Sequence, residues 1–180
     1  MDKKIKEILV GFMKNLYEAF VSEGDFQFAL AKELQEKNLS VLVEYPIDDK
    51  SIDIVIADKG TISSLIEVKY KTKEDTFSIK GIEHTFKTAG VNRKNFIDDI
   101  IKIENLISNS NLKNLKKSYC ILLTNNPNYF TSSDYTEYNI DKEIKINNKE
   151  YKCEWEDCKS IKSETNETMF KYLIVEIEKN

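Results

Sequence analysis

Asp53, Glu67 and Lys69 are the residues of this chain whose types and spacing can do chemistry. They sit in two alternating stretches rich in β-branched residues, Ser51 to Ala57 and Ile62 to Tyr70, separated by the turn-forming Asp58-Lys59-Gly60-Thr61. A period of two puts Asp53, Val55 and Ala57 on one face of the first strand and Ile52, Ile54 and Ile56 on the other. On the second strand Leu65, Glu67 and Lys69 share a face, and Ile66, Val68 and Tyr70 the opposite one. Both faces of both strands are therefore apolar, which predicts a hairpin covered on both sides with three charges on a covered face. Burying one such charge unpaired costs several kcal/mol. Two carboxylates also repel each other unless a cation sits between them. A hard divalent ion such as Mg2+ takes a few carboxylate oxygens plus waters, and a lysine on the same side suits an attacking water or a developing negative charge. That is metal-assisted phosphodiester hydrolysis in outline. The same spacing is also met by plain cross-strand pairing of charges on an edge hairpin.

The neighbouring elements must position these groups. Ile5, Ile8, Leu9, Phe12, Met13, Leu16 and Phe20 recur at helical steps and predict an amphipathic helix over 3–20. Ser22-Glu23-Gly24-Asp25 has the pattern of a helix N-cap, and Phe26, Leu30 and Leu34 supply the stripe of a second helix ending near Lys37-Asn38. At 100° per residue, Glu23 and Gln27 fall within about 60° of Leu30 and Leu34, whereas Asp25 points away and has a capping role with Ser22. Glu23, with Gln27 beside it, is thus a candidate to join the hairpin's acids; the other role open to Glu23 is a charge favourably placed at the helix N-terminus.

Val41 to Tyr45 reads as a strand closed by Pro46, leaving Glu44 either to assist a metal or simply to flank the proline. Residues 71–92 are polar and irregular and read as a loop with a short helix. Arg93 to Ser108 is a third helix with Phe96, Ile100, Ile103 and Ile107 on one face. Tyr119 to Thr124 is a short continuous apolar run, the mark of a strand buried on both faces. Asn147-Asn148 suits the turn of a hairpin over Ile144 to Tyr151, and Phe170 to Ile177 reads as a terminal strand. With no repeat and no linker, the expectation is one α/β domain over residues 1–180.

Composition narrows the classes. At 180 residues with 41% hydrophobic content, nine Phe and nine Tyr, the chain has the material for a real core and is not disordered. It has no apolar run long enough to span a bilayer and opens on a charged amphipathic pattern, which predicts a soluble cytoplasmic protein with no membrane partner. The net charge of −4 is unlike a nucleic-acid footprint, but residues 68–94 hold seven basic against three acidic residues, a local patch able to attract a polyanion. Lys71, Lys73, Arg93 and Lys94 are its candidates for phosphate contact; each is equally readable as part of a solvated face. Cys120, Cys153, Cys158 and His84 are too scattered for a structural zinc site and read as reduced thiols and an ordinary histidine. Trp155, flanked by acids, reads as a core anchor.

Asp53, then thirteen residues, then Glu67-Val68-Lys69, on a hairpin that follows a helix, resembles the PD-(D/E)XK nuclease superfamily. The first acid of that pattern corresponds to Asp53 and the E-x-K to Glu67 and Lys69; Ile52 stands where the family's proline usually does. The helix, strand, hairpin, helix, strand order over 22–124 is similar to the superfamily core, leaving 125–180 as a C-terminal extension packed on it. Ser22-Glu23-Gly24-Asp25-Phe26-Gln27, Glu44-Tyr45-Pro46, Glu67-Val68-Lys69-Tyr70-Lys71 and Leu123-Thr124-Asn125-Asn126-Pro127 also resemble a group of small, largely uncharacterised nuclease-like proteins.

The resemblance implies a restriction-endonuclease-like core, a central mixed β-sheet flanked by α-helices, and a Mg2+-dependent deoxyribonuclease, of endonuclease type, in which Mn2+ can substitute. It implies Asp53, Glu67 and the Val68 backbone as metal ligands, with Glu23 as a further one, Lys69 as the group serving water and transition state, and Gln27 as a helix contribution. DNA rather than RNA is the implied substrate, cut to 5′-phosphate and 3′-hydroxyl ends, and such enzymes often work as homodimers or in larger nuclease complexes. The competing reading is a nuclease-fold binding or regulatory module that no longer cuts.

Overall fold

The computed structural model describes residues 2–86, 92–109, 112, 114–115, 117–131, 140–158, 161–162 and 167–179. Three helices, α1 (Asp2–Lys14), α2 (Glu23–Glu36) and α3 (Arg93–Asn109), flank a sheet. The strands are β1 (Ser40–Ile47), β2 (Lys50–Asp58), β3 (Thr61–Lys71), β4 (Asp75–Ile79), β5 (Ile82–Phe86), β6 (Lys117–Thr124), β7 (Glu143–Ile146), β8 (Lys149–Lys152), β9 (Glu156–Asp157), β10 (Ile161–Lys162), β11 (Glu167–Thr168) and β12 (Lys171–Glu178). The central sheet has six strands in the order β1-β2-β3-β6-β12-β9. It is mixed: β3 and β6 run parallel, while β1–β2, β2–β3, β6–β12 and β12–β9 are antiparallel. β12 is therefore a strand of this sheet, beside β6, rather than a layer laid upon it. No helix among the described residues is long and apolar enough to cross a membrane.

Alternation along β2, β3 and β6 divides the core in two. Ile54, Ile56, Ile66, Val68, Tyr70, Ile121 and Leu123 pack against α1 and α2, through Leu9, Met13, Phe26, Leu30 and Leu34. Val55, Leu65, Cys120 and Leu122 pack against α3, through Phe96, Ile100, Ile103 and Ile107, with Ile144 and Ile146 of the β7–β8 hairpin. The hairpin strands β2 and β3 are thus covered on both faces, as their composition predicts. Ile52 departs from the alternation and clusters on the α3 side. It lies beyond the last β2–β3 pair, where β2 is free to twist. Trp155 packs on the same side and donates its indole N–H to the Ile140 carbonyl at 2.8 Å.

Three elements differ from the sequence reading. α1 stops at Lys14 rather than near Phe20, and its last turn closes with the Asn15 amide and side chain both donating to the Gly11 carbonyl, at 3.2 and 2.8 Å. β1 continues through Pro46, which an edge strand tolerates. The stretch expected to be a loop with a short helix instead forms the β4–β5 hairpin, turning at Lys80 and Gly81 with φ of 52° and 78°. Two successive left-handed residues are the signature of the tight turn that matches strand twist. The remainder of that stretch, 87–91, lies outside the described residues.

A charged fork as the candidate active site

The ladder between β2 and β3 ends at the Ile54–Ile66 pair. Beyond it β2 stays paired with β1 as far as Lys50–Ile47, and β3 with β6 as far as Lys71–Thr124. The sheet forks there, and Asp53 and Glu67 are the first residues past the fork on their two strands. Side chains replace the missing ladder bonds: Asp53 Oδ2 accepts from the Val68 amide at 2.8 Å, and Glu67 Oε1 from the Asp53 amide at 3.4 Å. Gln27 enters the same gap from α2. It is only 5% exposed, and its Nε2 donates to the Asp53 carbonyl at 2.7 Å and to Glu44 Oε1 at 2.8 Å.

Glu44 lies between the Val43–Ile54 and Tyr45–Ile52 pairs, opposite Asp53, with φ of 48°. A left-handed glutamate inside a strand costs on the order of 1 kcal/mol or more. Its carboxylate is held on the other side by the Ser51 hydroxyl at 3.0 Å, so the unusual backbone brings an acceptor to Gln27. These contacts match neither of the two roles read for Glu44, metal assistance or flanking Pro46: they give it a part in bracing the fork.

Lys69 lies two residues past Glu67 and on its face. Its ammonium is 3.1 Å from Asp99 Oδ2 and 3.4 Å from Glu23 Oε1. Glu23 opens α2, and its other oxygen accepts from the Tyr70 amide at 3.0 Å and pairs with Lys71 at 3.5 Å. Asp25 does the capping: its amide donates to Ser22 Oγ, and its carboxylate accepts from the Val21 amide. Glu23 is therefore spent on lysines and a backbone amide instead of joining Asp53 and Glu67. Among the described residues no group of three acidic, histidine or cysteine side chains converges as a metal cage.

α3 completes the site with two residues that the sequence reading passed over. Asp99 grips Lys69, and Lys102 lies 2.6 Å from Glu67 Oε2. For Asp99 a signal was present: it stands three residues after Phe96 and four before Ile103, on the apolar stripe, where a charge needs a reason.

Electrostatics follow from burial. Glu67, at 2% exposure, has its proton affinity raised to about 8, first by burial and then by the Asp53 charge, against the pull of Lys102. Asp53 is also raised, by burial more than the Val68 amide and the lysines offset. Asp99 is raised by burial against the pull of Lys69. Burial would lower Lys69, but Asp99 and Glu23 more than reverse it and hold the ammonium charged well beyond its ordinary range.

The phosphate-contact candidates divide. Lys73 is exposed, Lys94 is exposed and pairs with Asp98 at 2.6 Å, and Lys71 leans on Glu23. Arg93 is not a surface cation: it is 5% exposed, and its guanidinium donates to the carbonyls of Asn128 and Thr131. It opens α3 and ties that helix to the 3-10 turn Pro127–Tyr129, so its charge serves the fold. All three cysteines are buried and free.

Comparison with protein-family models, with curated proteins and with solved structures finds no match.

Proposed function

We propose that the protein is a Mg2+-dependent nuclease that hydrolyses phosphodiester bonds in DNA, on a core like that of the PD-(D/E)XK superfamily, with Mn2+ able to replace Mg2+. The observation that carries the reading is the fork: the buried Glu67 carboxylate and the half-buried Asp53 carboxylate meet where β2 and β3 part, with a charged lysine on the same face. The donor set fits a hard dication, since burial and mutual repulsion leave the pair short of positive charge even with Lys102 beside it. Asp53 and Glu67 would hold the ion with the Val68 carbonyl, and it would supply Lewis-acid polarisation and a bound water of lowered pKa.

The chain's own residues do the rest. Lys69 stays an ammonium, so it acts by its charge on the phosphoryl oxygens and not as a base. Asp99 and Glu23 aim that charge from two helices. Gln27 occupies the Asp53 carbonyl, which keeps the fork from zipping shut.

A second reading, a nuclease-fold binding or regulatory module without cleavage, is favoured by one observation. Of the four candidate phosphate contacts, Arg93 is spent on carbonyls and Lys71 and Lys94 pair with acids. Cleavage of labelled linear, circular, single-stranded and branched DNA, and of RNA, with Mg2+ or Mn2+, separates the two. Metal-dependent cutting that Asp53→Ala and Lys69→Ala both abolish, with folding intact, supports the nuclease. Cutting that survives both substitutions removes this site from the reaction, and binding without cutting on every substrate supports the module.

A further inference from the structure

We propose that the Lys102 ammonium is a resident counter-ion of the Asp53–Glu67 pair, exchanged for the divalent cation when the site loads and handed on to Asp99. The inference rests on the metal-dependent reading above, and it concerns a residue for which that reading has no use.

Three observations carry it. First, Lys102 occupies the position an incoming cation needs: its Nζ is 2.6 Å from Glu67 Oε2 and 3.3 Å from the Ser51 carbonyl. Second, the partners differ in freedom. Glu67 sits on a central strand, 2% exposed and locked in the parallel ladder with β6, so it cannot follow a departing lysine. Lys102 reaches it from α3 on a four-carbon stem that is 21% exposed, so the lysine is the partner able to move. Third, there is an acceptor ready. Asp99 Oδ1 stands 4.0 Å from Nζ, one helical turn back on α3, while its Oδ2 already holds Lys69 at 3.1 Å.

A dication reaching Glu67 brings two like charges against one carboxylate, and the repulsion is resolved by the mobile one. Moved onto Asp99, Lys102 lies beside Lys69 on the wall of the fork. A phosphate drawn to the pair then meets two ammonium groups where it would have met one. The two lysines have distinct roles for a visible reason: Lys69 is clamped between Asp99 and Glu23 from two helices, whereas the one close carboxylate on Lys102 is the one the metal claims.

The test needs no nucleic acid. Mg2+ and Ca2+ are titrated calorimetrically at pH 8.5 into the full chain and into Lys102→Met, Lys102→Gln and Asp53→Asn. In parallel, the acylation rates of Lys102 and Lys69 in the wild-type chain are read by mass spectrometry with and without Mg2+. The expected result is tighter metal binding in both Lys102 variants, on the order of tenfold, as for two sites that oppose each other. Lys102 should also acylate several-fold faster with Mg2+, with Lys69 unchanged and no such rise in Asp53→Asn. Equal or weaker metal binding in the Lys102 variants, or labelling of Lys102 that metal does not raise, overturns the exchange and leaves a plain structural ion pair. If wild type and Asp53→Asn bind metal alike, or neither they nor the Lys102 variants bind it, the metal reading falls and the exchange with it. Should both Lys102 variants fail to fold, the wild-type labelling alone decides.

Discussion

α3 buries two acids on its length, and they live in opposite circumstances. Glu104 is one carboxylate with donors to spare: the Tyr151 hydroxyl and Lys149 at 3.4 Å meet one oxygen, and Asn147 at 3.4 Å meets the other, all from the β7–β8 hairpin. Asp99 belongs to a cluster in which Asp53, Glu67 and Glu23 share Lys69, Lys71 and Lys102, four acids against three cations. A single buried charge saturated with hydrogen bonds ties a hairpin to a helix. An excess of acids over cations, two of those acids buried, is costly to maintain, and such clusters concentrate at functional sites.

The largest expected difference between the two is in activity. On the nuclease reading, Asp53→Ala should remove metal-dependent cleavage altogether, and Lys69→Ala should lower it roughly 10²- to 10³-fold, the effect of losing one preorganised charge at a transition state. Glu104→Gln should cleave as wild type does. Equal losses from Glu104→Gln and Lys69→Ala, measured on folded proteins, would erase the distinction between the regions.

The next is in stability, with metal removed by chelator. The folded-state value of about 8 for Glu67 lies above its ordinary 4.5, so between those limits the native state holds a proton that the unfolded chain has released. Stability should therefore fall as pH rises through this window and level off above it. Glu67→Gln should flatten that slope, so that relative to wild type it gains on the order of 3 kcal/mol between pH 5 and pH 8.5 in urea unfolding. A slope identical in the two proteins would mean that burial at the fork does not burden Glu67.

Smaller again is the cost of disturbing the saturated acid. Glu104→Ala should destabilise by about 1–3 kcal/mol, since Tyr151 and Lys149 lose a buried acceptor, and Tyr151→Phe by about 1 kcal/mol. Neither change should alter metal binding at the fork.

Much of the hairpin was legible because strand chemistry is local. A period of two placed Glu67 and Lys69 apart from Ile66 and Val68, and the first pair meets Lys102 and Asp99 of α3 while the second packs towards α1 and α2; on β2 the period holds for Ile54 and Ile56 and fails at Ile52. Helical geometry likewise separated Glu23 from Asp25, and α2 turns them to a lysine pair and a cap respectively. What stayed hidden was set by distant partners. Lys102 reads as ordinary helix polarity until β3 is known to lie beneath it, and the place of Asp99 on the apolar stripe asks for a partner without naming Lys69. The β4–β5 hairpin was masked because its alternation is short: only Phe77 and Ile79 of β4 are buried in the core, and polar residues surround them in the chain. The fork itself is a failure of pairing, which no local pattern announces.

Arg93 and Lys94 mark the limit of such reading, since two adjacent cations at a helix start look alike in a sequence. Arg93→Ala should destabilise as a buried substitution does, because the carbonyls of Asn128 and Thr131 lose their donor. Lys94→Ala, which removes an exposed i,i+4 pair with Asp98, should change stability by about 0.3–0.5 kcal/mol, far less than Arg93→Ala. If Lys94 meets a phosphate, the same substitution should flatten the dependence of DNA affinity on salt by about one counter-ion while leaving the fold untouched. A flattened slope in Lys94→Ala would put α3's first turn in the nucleic-acid interface and carry the charged face of the fork outward along that helix; an unchanged slope would confine it to Lys69 and its immediate partners.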